Sequence, residues 1–174
     1  MLAYLMATAY HETDKKMQPI SEYGGTAYFK EKSGAKFYVM EGDVDIFEKR
    51  ATGPIKVDRV LHDRDTVTLG GKVLTAYHIP GHSPGSTAWY WQEREAGQTY
   101  NVASVCCWTT PANVVSNPDY PVARLRRNFE VLKSLPVDVP TLGPTTDQFD
   151  MAGKLERIKA GESRLSVFVD PQGY

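Results

Sequence analysis

The sequence predicts an α/β (α+β) fold on three observations: two strand pairs around glycine-bearing turns, amphipathic helices on either side of them, and an ordinary globular composition. Of its 174 residues 41% are hydrophobic and 24% charged, enough for a compact domain with a real core. No repeat, low-complexity tract or long linker breaks the chain, so a single domain over residues 1–174 is the expectation.

In chain order, residues 25–33 (GTAYFKEKS) have helical spacing, and Gly34 is a good stop. Residues 36–40 (KFYVM) read as a buried strand and residues 41–50 as a short acidic helix. Residues 65–69 (DTVTL) and 72–78 (KVLTAYH) flank Gly70-Gly71, a tight-hairpin signal. Residues 86–91 and 100–107 flank a polar loop containing Gly97, which predicts a second hairpin. A helix follows over residues 123–134, where Leu125, Phe129 and Leu132 recur at helical spacing on one predicted core face. Residues 137–142 read as a short strand and residues 151–160 as a last helix. Period-two alternation sends Trp89 and Trp91 to one side of their strand and Ala88 and Tyr90 to the other, core on one side and surface on the other.

Charge narrows the function classes. Twenty basic residues against 21 acidic ones give a net charge of −1, which supplies no general attraction to phosphate backbones or anionic lipid. Neither a nucleic-acid nor a membrane partner is expected. Arg124, Arg126 and Arg127 are the one local basic cluster, a solvated helix face or an anion-binding surface. Residues 1–10 are apolar but fall short of the roughly twenty residues a spanning helix needs, and no basic segment precedes them as in a secretory signal. Cys106 and Cys107 are adjacent, a spacing that disfavours a bridge between them. Free thiols point to a reducing compartment, and the expected location is cytoplasmic.

The segment 74–86 (LTAYHIPGHSPGS) carries the most chemistry. A strand running into PGHSPG places His82 at a sharply turned strand end, where glycines permit unusual backbone angles and prolines stiffen the loop. Such a loop can hold an imidazole in one direction, as a metal ligand requires. His62, in LHDRD, reads as a turn residue, and His78 as a strand residue that packs its ring.

Residues 57–91 (VDRVLHDRDTVTLGGKVLTAYHIPGHSPGSTAWYW) resemble the metallo-β-lactamase superfamily, in particular the third subclass of metallo-β-lactamases. The resemblance continues through SNPDYP (116–121), FEVLKSLP, LGPTTDQFDMAGKLERIKAG and FVDPQGY. Upstream, YGGTAYFKEKSGAKFYV (23–39) is similar to the helix and strand that follow the family's HxHxDH motif. The resemblance implies an αβ/βα sandwich whose first half is incomplete here, since only about twenty residues precede the motif's place. It also implies zinc as the family's cofactor, held by three protein ligands per catalytic ion and activating a water for attack on a carbonyl.

Carried over residue by residue, the HxHxDH positions fall on Met17, Pro19, Ser21 and Glu22, counting back from Gly24-Gly25. Thr145, in LGPTTDQFD, stands where the family has the histidine of LGSHAGQFD. His82 alone keeps a recognised histidine position. One imidazole is too few donors for zinc, so no cofactor is expected. A shifted alignment through YHETD would bring in His11 and Asp14, at the expense of an insertion.

The strand at residues 101–107 ends where the superfamily places an aspartate, cysteine or serine beside the metals. The resemblance therefore sets Cys107, or Cys106, across the pocket from His82, with Glu22 and Asp147 on bordering segments. The candidate site residues are His82, Cys107, Glu22 and Asp147. They could form a rebuilt mixed-ligand metal site or a cysteine–histidine pair; the plainer reading makes both cysteines small buried hydrophobes.

Three functions are open at this point. The leading one is a pseudoenzyme or small-molecule-binding protein that reuses the old hydrolase pocket. The second is a hydrolase of an ester, thioester or lactone, with Cys107 as nucleophile and His82 as base. The third is a structural or interaction module. An incomplete first half would leave a sheet edge uncovered, which predicts a homo-oligomer. Ligand identity is set by pocket loops rather than by the scaffold.

Overall fold

Glycines that accept positive φ set the strand pairings, and the strand pairings set the fold. The computed structural model describes residues 26–49, 55–105, 122–142 and 150–172. The chain divides into two compact units, one of residues 1–39 and 43–60, the other of residues 40–42 and 61–174.

In the first unit, helix α1 (Thr26–Ser33) stops at Gly34, whose φ is +66° and whose N–H returns to the Lys30 carbonyl at 3.0 Å. A two-stranded sheet forms from β1 (Tyr38–Met40) and β2 (Arg59–Leu61). The expected acidic helix is a 3-10 turn, Glu41–Asp43, followed by α2 (Val44–Glu48). Val39, Phe47 and Ile55 are buried together, and Phe37 meets Phe47 edge-to-face with ring centroids 4.8 Å apart. The Asp58 carboxylate accepts from Lys30 Nζ and, at 2.7 Å, from the Phe37 N–H. Those two bonds hold its pKa below the ordinary aspartate value.

The second unit is built on a five-stranded sheet ordered β3-β4-β5-β6-β7, antiparallel except for the parallel β6–β7 pair. Strands β3 (Thr66–Leu69) and β4 (Lys72–His78) close over Gly70-Gly71, at φ +57° and +77°. Positive φ at both central residues is the tight turn that matches strand twist. Strands β5 (Thr87–Glu95) and β6 (Gln98–Val105) extend further than the sequence suggests, because Ala96-Gly97, at φ +49° and +85°, closes them in the same way. β7 (Val139–Leu142) lies beside β6.

Both faces of this sheet are packed. On one face Ala88, Ala103 and Val105 form a core with Ile79, Leu132 and Val137, flanked by Tyr77 and Tyr90. On the other, Tyr100, Val102 and Val139 pack with Trp91, Leu165 and Phe168. The expectation of a surface on one side of β5 is thereby corrected. The tail, with its 3-10 turn Ser166–Phe168, covers Trp91 from more than seventy residues further along the chain. The Glu95 carboxylate secures that tail, accepting from the Ser163 hydroxyl and from the Leu165 N–H at 2.9 Å.

Helix α3 (Val122–Lys133) covers the first face. Its core positions differ from the apolar triplet read in the sequence. Leu132 is buried as expected, but Asn128 is wholly buried and Phe129 is 46% exposed. The reason is that α3 has two stripes. Asn128, Val131 and Leu132 face inward, while Val122, Leu125 and Phe129 line an open groove with Arg126, Glu130 and Lys133. The last helix, α4 (Met151–Lys159), starts at Asp150, whose carboxylate accepts from the Gly153 N–H at 3.2 Å.

Candidate functional site

The connection between β4 and β5, residues 79–86, carries His82. Ile79 is fully buried and anchors the exit from β4. Its N–H donates to the Ser86 carbonyl at 2.9 Å, which draws the two ends of the loop together. Within the loop the Gly81 N–H donates to Ser83 O at 3.1 Å, the Ser83 N–H to Ser86 Oγ at 2.9 Å, and the Ser86 N–H to Ser83 O at 3.3 Å. Ser86 is buried, so its hydroxyl is a fixed acceptor. His82 sits at the exposed apex of this frame.

Side chains from outside the loop take hold of its carbonyls. The His78 ring, half-buried at the end of β4, places Nε2 2.7 Å from Pro84 O. A carbonyl only accepts, so Nε2 carries the proton. Asn128 Nδ2 donates to Pro80 O at 2.8 Å. Arg127 Nη1 donates to His78 O at 3.0 Å, and its Nη2 lies 3.2 Å from Asp63 Oδ2. Asp63 Oδ1 in turn accepts the His78 N–H at 2.8 Å. From a different direction Gly42 abuts the loop: a Cβ built on it would stand 2.5 Å from the carbonyl carbon and oxygen of Pro84. Only glycine fits there.

Asp63 owes its position to a tight turn at residues 62–65. The Asp65 N–H donates to His62 O at 3.0 Å, the His62 N–H to Asp65 Oδ2 at 3.0 Å, and Arg64 takes φ +68°. His62 is thus the turn residue the sequence predicted. Its exposed ring lies 3.6 Å from Glu41 and 3.7 Å from Asp65. His78 goes beyond its predicted packing role, since its ring is bonded into the loop. Sequence reasoning missed Arg127, Asn128 and Gly42 because their partners lie between 42 and 64 residues away. Of the basic cluster, Arg127 is committed to this network.

Asn128 carries a local penalty. Its Oδ1 is buried with no hydrogen-bond partner among the described residues, an arrangement that costs about 1–3 kcal/mol.

Of the four site candidates, His82 is among the described residues; Glu22, Cys107 and Asp147 lie outside them, as do Cys106, Thr145 and the positions from Met17 to Ser21. Among the described residues no three His, Cys, Asp or Glu side chains converge as a metal site. At the positions the resemblance assigns to the family's ligands, Met17 offers a thioether, Ser21 and Thr145 hydroxyls and Pro19 no side-chain donor, so the Glu22 carboxylate and the His82 imidazole are the two ordinary zinc donors among them, fewer than a dizinc centre takes. No helix among the described residues is long and apolar enough to cross a membrane.

This sheet, with its helix on one face and the imidazole-bearing loop after β4, is a metallo-β-lactamase fold. The class B3 di-zinc metallo-β-lactamase LRA-12 from an Alaskan soil metagenome matches 87% of the chain at 27% identity and TM-score 0.73. FEZ-1 from Legionella gormanii matches 86% at 30% identity and TM-score 0.72. BJP-1 of Bradyrhizobium japonicum, also subclass B3, matches 86% at 30% identity and TM-score 0.72. In sequence, a hydroxyacylglutathione hydrolase of Hyphomonas neptunium is 34% identical over 73 residues, and the acyl-coenzyme A thioesterase MBLAC2 of Gallus gallus is 33% identical over 64. No protein-family model matches the chain. The chain shares this fold with class B3 metallo-β-lactamases and is similar in sequence to members of the metallo-β-lactamase superfamily. It spans 62% of LRA-12 and of FEZ-1, and 26% and 23% of the two curated relatives.

Proposed function

We propose that this protein has left dizinc chemistry and is a pseudoenzyme or small-molecule-binding protein that reuses the hydrolase pocket around His82. One observation carries the reading: both histidine motifs are replaced, leaving His82 as the one retained imidazole at a recognised ligand position. A zinc ion needs about three protein donors to be held and to activate water, and no reaction step through zinc follows from this donor set. The pocket's shape would outlast its metals, because the loop that presents His82 is held by protein groups. Adjacent free cysteines suit a reducing compartment, in our reading the cytoplasm. The test is metal content by atomic emission after expression in zinc-replete medium, with less than one ion per chain expected. One or more ions per chain would overturn the reading.

A second reading keeps catalysis. Its support is the pair of curated relatives, one named a hydroxyacylglutathione hydrolase and the other an acyl-coenzyme A thioesterase. In it the Cys107 thiolate attacks the carbonyl carbon of a thioester, the substrate's sulfur leaves with a proton from protonated His82, and water then hydrolyses the acyl-enzyme. Iodoacetamide at neutral pH should abolish such activity; hydrolysis that survives alkylation excludes this mechanism.

We also infer that the protein self-associates along its sheet edge. Among the described residues β3 pairs with β4 alone, and Leu69 and Val73 at that hairpin are 71% and 54% exposed. An open, partly apolar edge favours pairing with a second strand. Light scattering at micromolar concentration should report a dimer or larger species; a monomer with a cooperative melt argues against it.

A further inference from the structure

We propose that His78, with Asn128 and Arg127, is a positioning residue that fixes the orientation of His82, so that the imidazole is aimed by the protein itself and needs no metal ion to hold it. The inference rests on the reading of His82 as the pocket's retained imidazole and adds the device that keeps it in place.

Two carbonyls of the β4–β5 connection, and that of His78 at the end of β4, are taken by side chains. Arg127 binds that of His78, Asn128 that of Pro80, and the His78 ring that of Pro84. The Pro80 and Pro84 bonds bracket His82, two residues before it and two residues after it. Loop carbonyls at an exposed strand end ordinarily bond to water; here a helix and a strand supply the donors instead. Adjacent residues of α3 make two of the three bonds, so the rigid helix backbone fixes the distance between them.

The chemistry of each group points the same way. A histidine that merely fills space gains nothing from aiming Nε2 at a carbonyl. The His78 main chain is itself pinned on both sides, its N–H by Asp63 and its carbonyl by Arg127, which closes back on Asp63. Its ring therefore has a fixed base from which to reach Pro84. Gly42 completes the arrangement by admitting the Pro84 carbonyl close against its own backbone, where a methyl group would displace it. Asn128 adds an independent argument. A leucine would fill its site in the core without leaving an oxygen unpartnered, so an asparagine there serves the bond to Pro80 rather than packing.

The test measures the loop and the imidazole directly in the full chain. Amide hydrogen exchange at Ile79, Gly81, Ser83 and Ser86 reports the frame, and the long-range proton–nitrogen correlation of the His82 ring reports its orientation. In His78→Ala, exchange at these amides should rise about tenfold, as for the loss of one such hydrogen bond, and the His82 signal should broaden or double. In His78→Gln the side-chain amide can donate to Pro84 O and should restore both readouts. Asn128→Leu separates positioning from folding: loop exchange should again rise about tenfold while the melting temperature stays level or increases. If His78→Ala does not fold, the glutamine and leucine variants still decide the matter. Native-like exchange and an unchanged His82 signal in folded His78→Ala or Asn128→Leu would overturn the proposal, as would loop exchange that rises only in step with global unfolding. A lack of small-molecule binding would count against the pocket reading and leave these loop measurements unaffected.

Discussion

Strand β4 is bounded by two connections built on opposite principles. At its start, Gly70-Gly71 turns the chain in two residues by backbone geometry alone, and the flanking Leu69 and Val73 remain exposed. At its end, residues 79–86 form a longer loop held from outside, with the side chains of Asn128 and Arg127 reaching in across 48 and 49 residues of sequence. The first is a local event that any globular context would tolerate. The second exists only in the finished fold. Shape at the His82 loop is therefore a property of the scaffold.

The comparison can be broken most severely at Gly42. Gly42→Ala forces the Pro84 carbonyl away and should destabilise the fold by about 2–3 kcal/mol, the scale of overpacking in a well-filled site. Urea unfolding measures the loss, and hydrogen exchange should place the damage in the 79–86 loop. At the other end of β4, Gly71→Ala imposes φ +77° on a residue with a Cβ and should cost about 1–2 kcal/mol. Here the His82 loop should keep its native exchange rates, because nothing but backbone geometry is disturbed. Arg127→Met removes the bonds to His78 O and to Asp63 at a half-exposed position, and about 0.5–1 kcal/mol is expected from the same unfolding experiment.

The smallest effect concerns the β5–β6 hairpin, which combines a local turn with a distant tie. Hydrogen bonds from Ser163 and from the Leu165 N–H hold the Glu95 pKa below the ordinary glutamate value. A depressed carboxylate contributes stability that is complete above its unfolded-state pKa and is lost as pH falls through the folded one. Glu95→Gln should accordingly flatten the acid limb of the stability–pH curve, in the range below the ordinary glutamate value, and leave stability near neutrality almost independent of pH. An acid limb unchanged from the native protein would show that the tie to the tail is absent in solution.

Much of this architecture was legible in the sequence where structure is local. Gly34, Gly70-Gly71 and Gly97 mark turns because positive φ is cheap for glycine, and each does close a helix or hairpin. The extent of α3 was also readable, but its inward face was not. Apolar residues recur on two stripes of that helix, and periodicity has no means of ranking Phe129 against a polar Asn128 whose amide has a loop carbonyl to bind. Alternation along β5 suggested one bare face because the covering of Trp91, Leu165 and Phe168, lies far along the chain. At the site, motif and turn chemistry identified His82 and its loop. The grip of His78 on Pro84 was invisible, because a hydrogen bond from a ring to a carbonyl depends on where the strand ends rather than on residue type.

Cobalt(II) titration of the full chain, followed by visible absorption, tests the proposed loss of the dizinc centre most directly, since cobalt occupies zinc sites and reports its own coordination. With His82 as the one imidazole at a family ligand position, only weak bands that fail to saturate are predicted. Intense bands that saturate at two ions per chain and vanish in His82→Ala would contradict it.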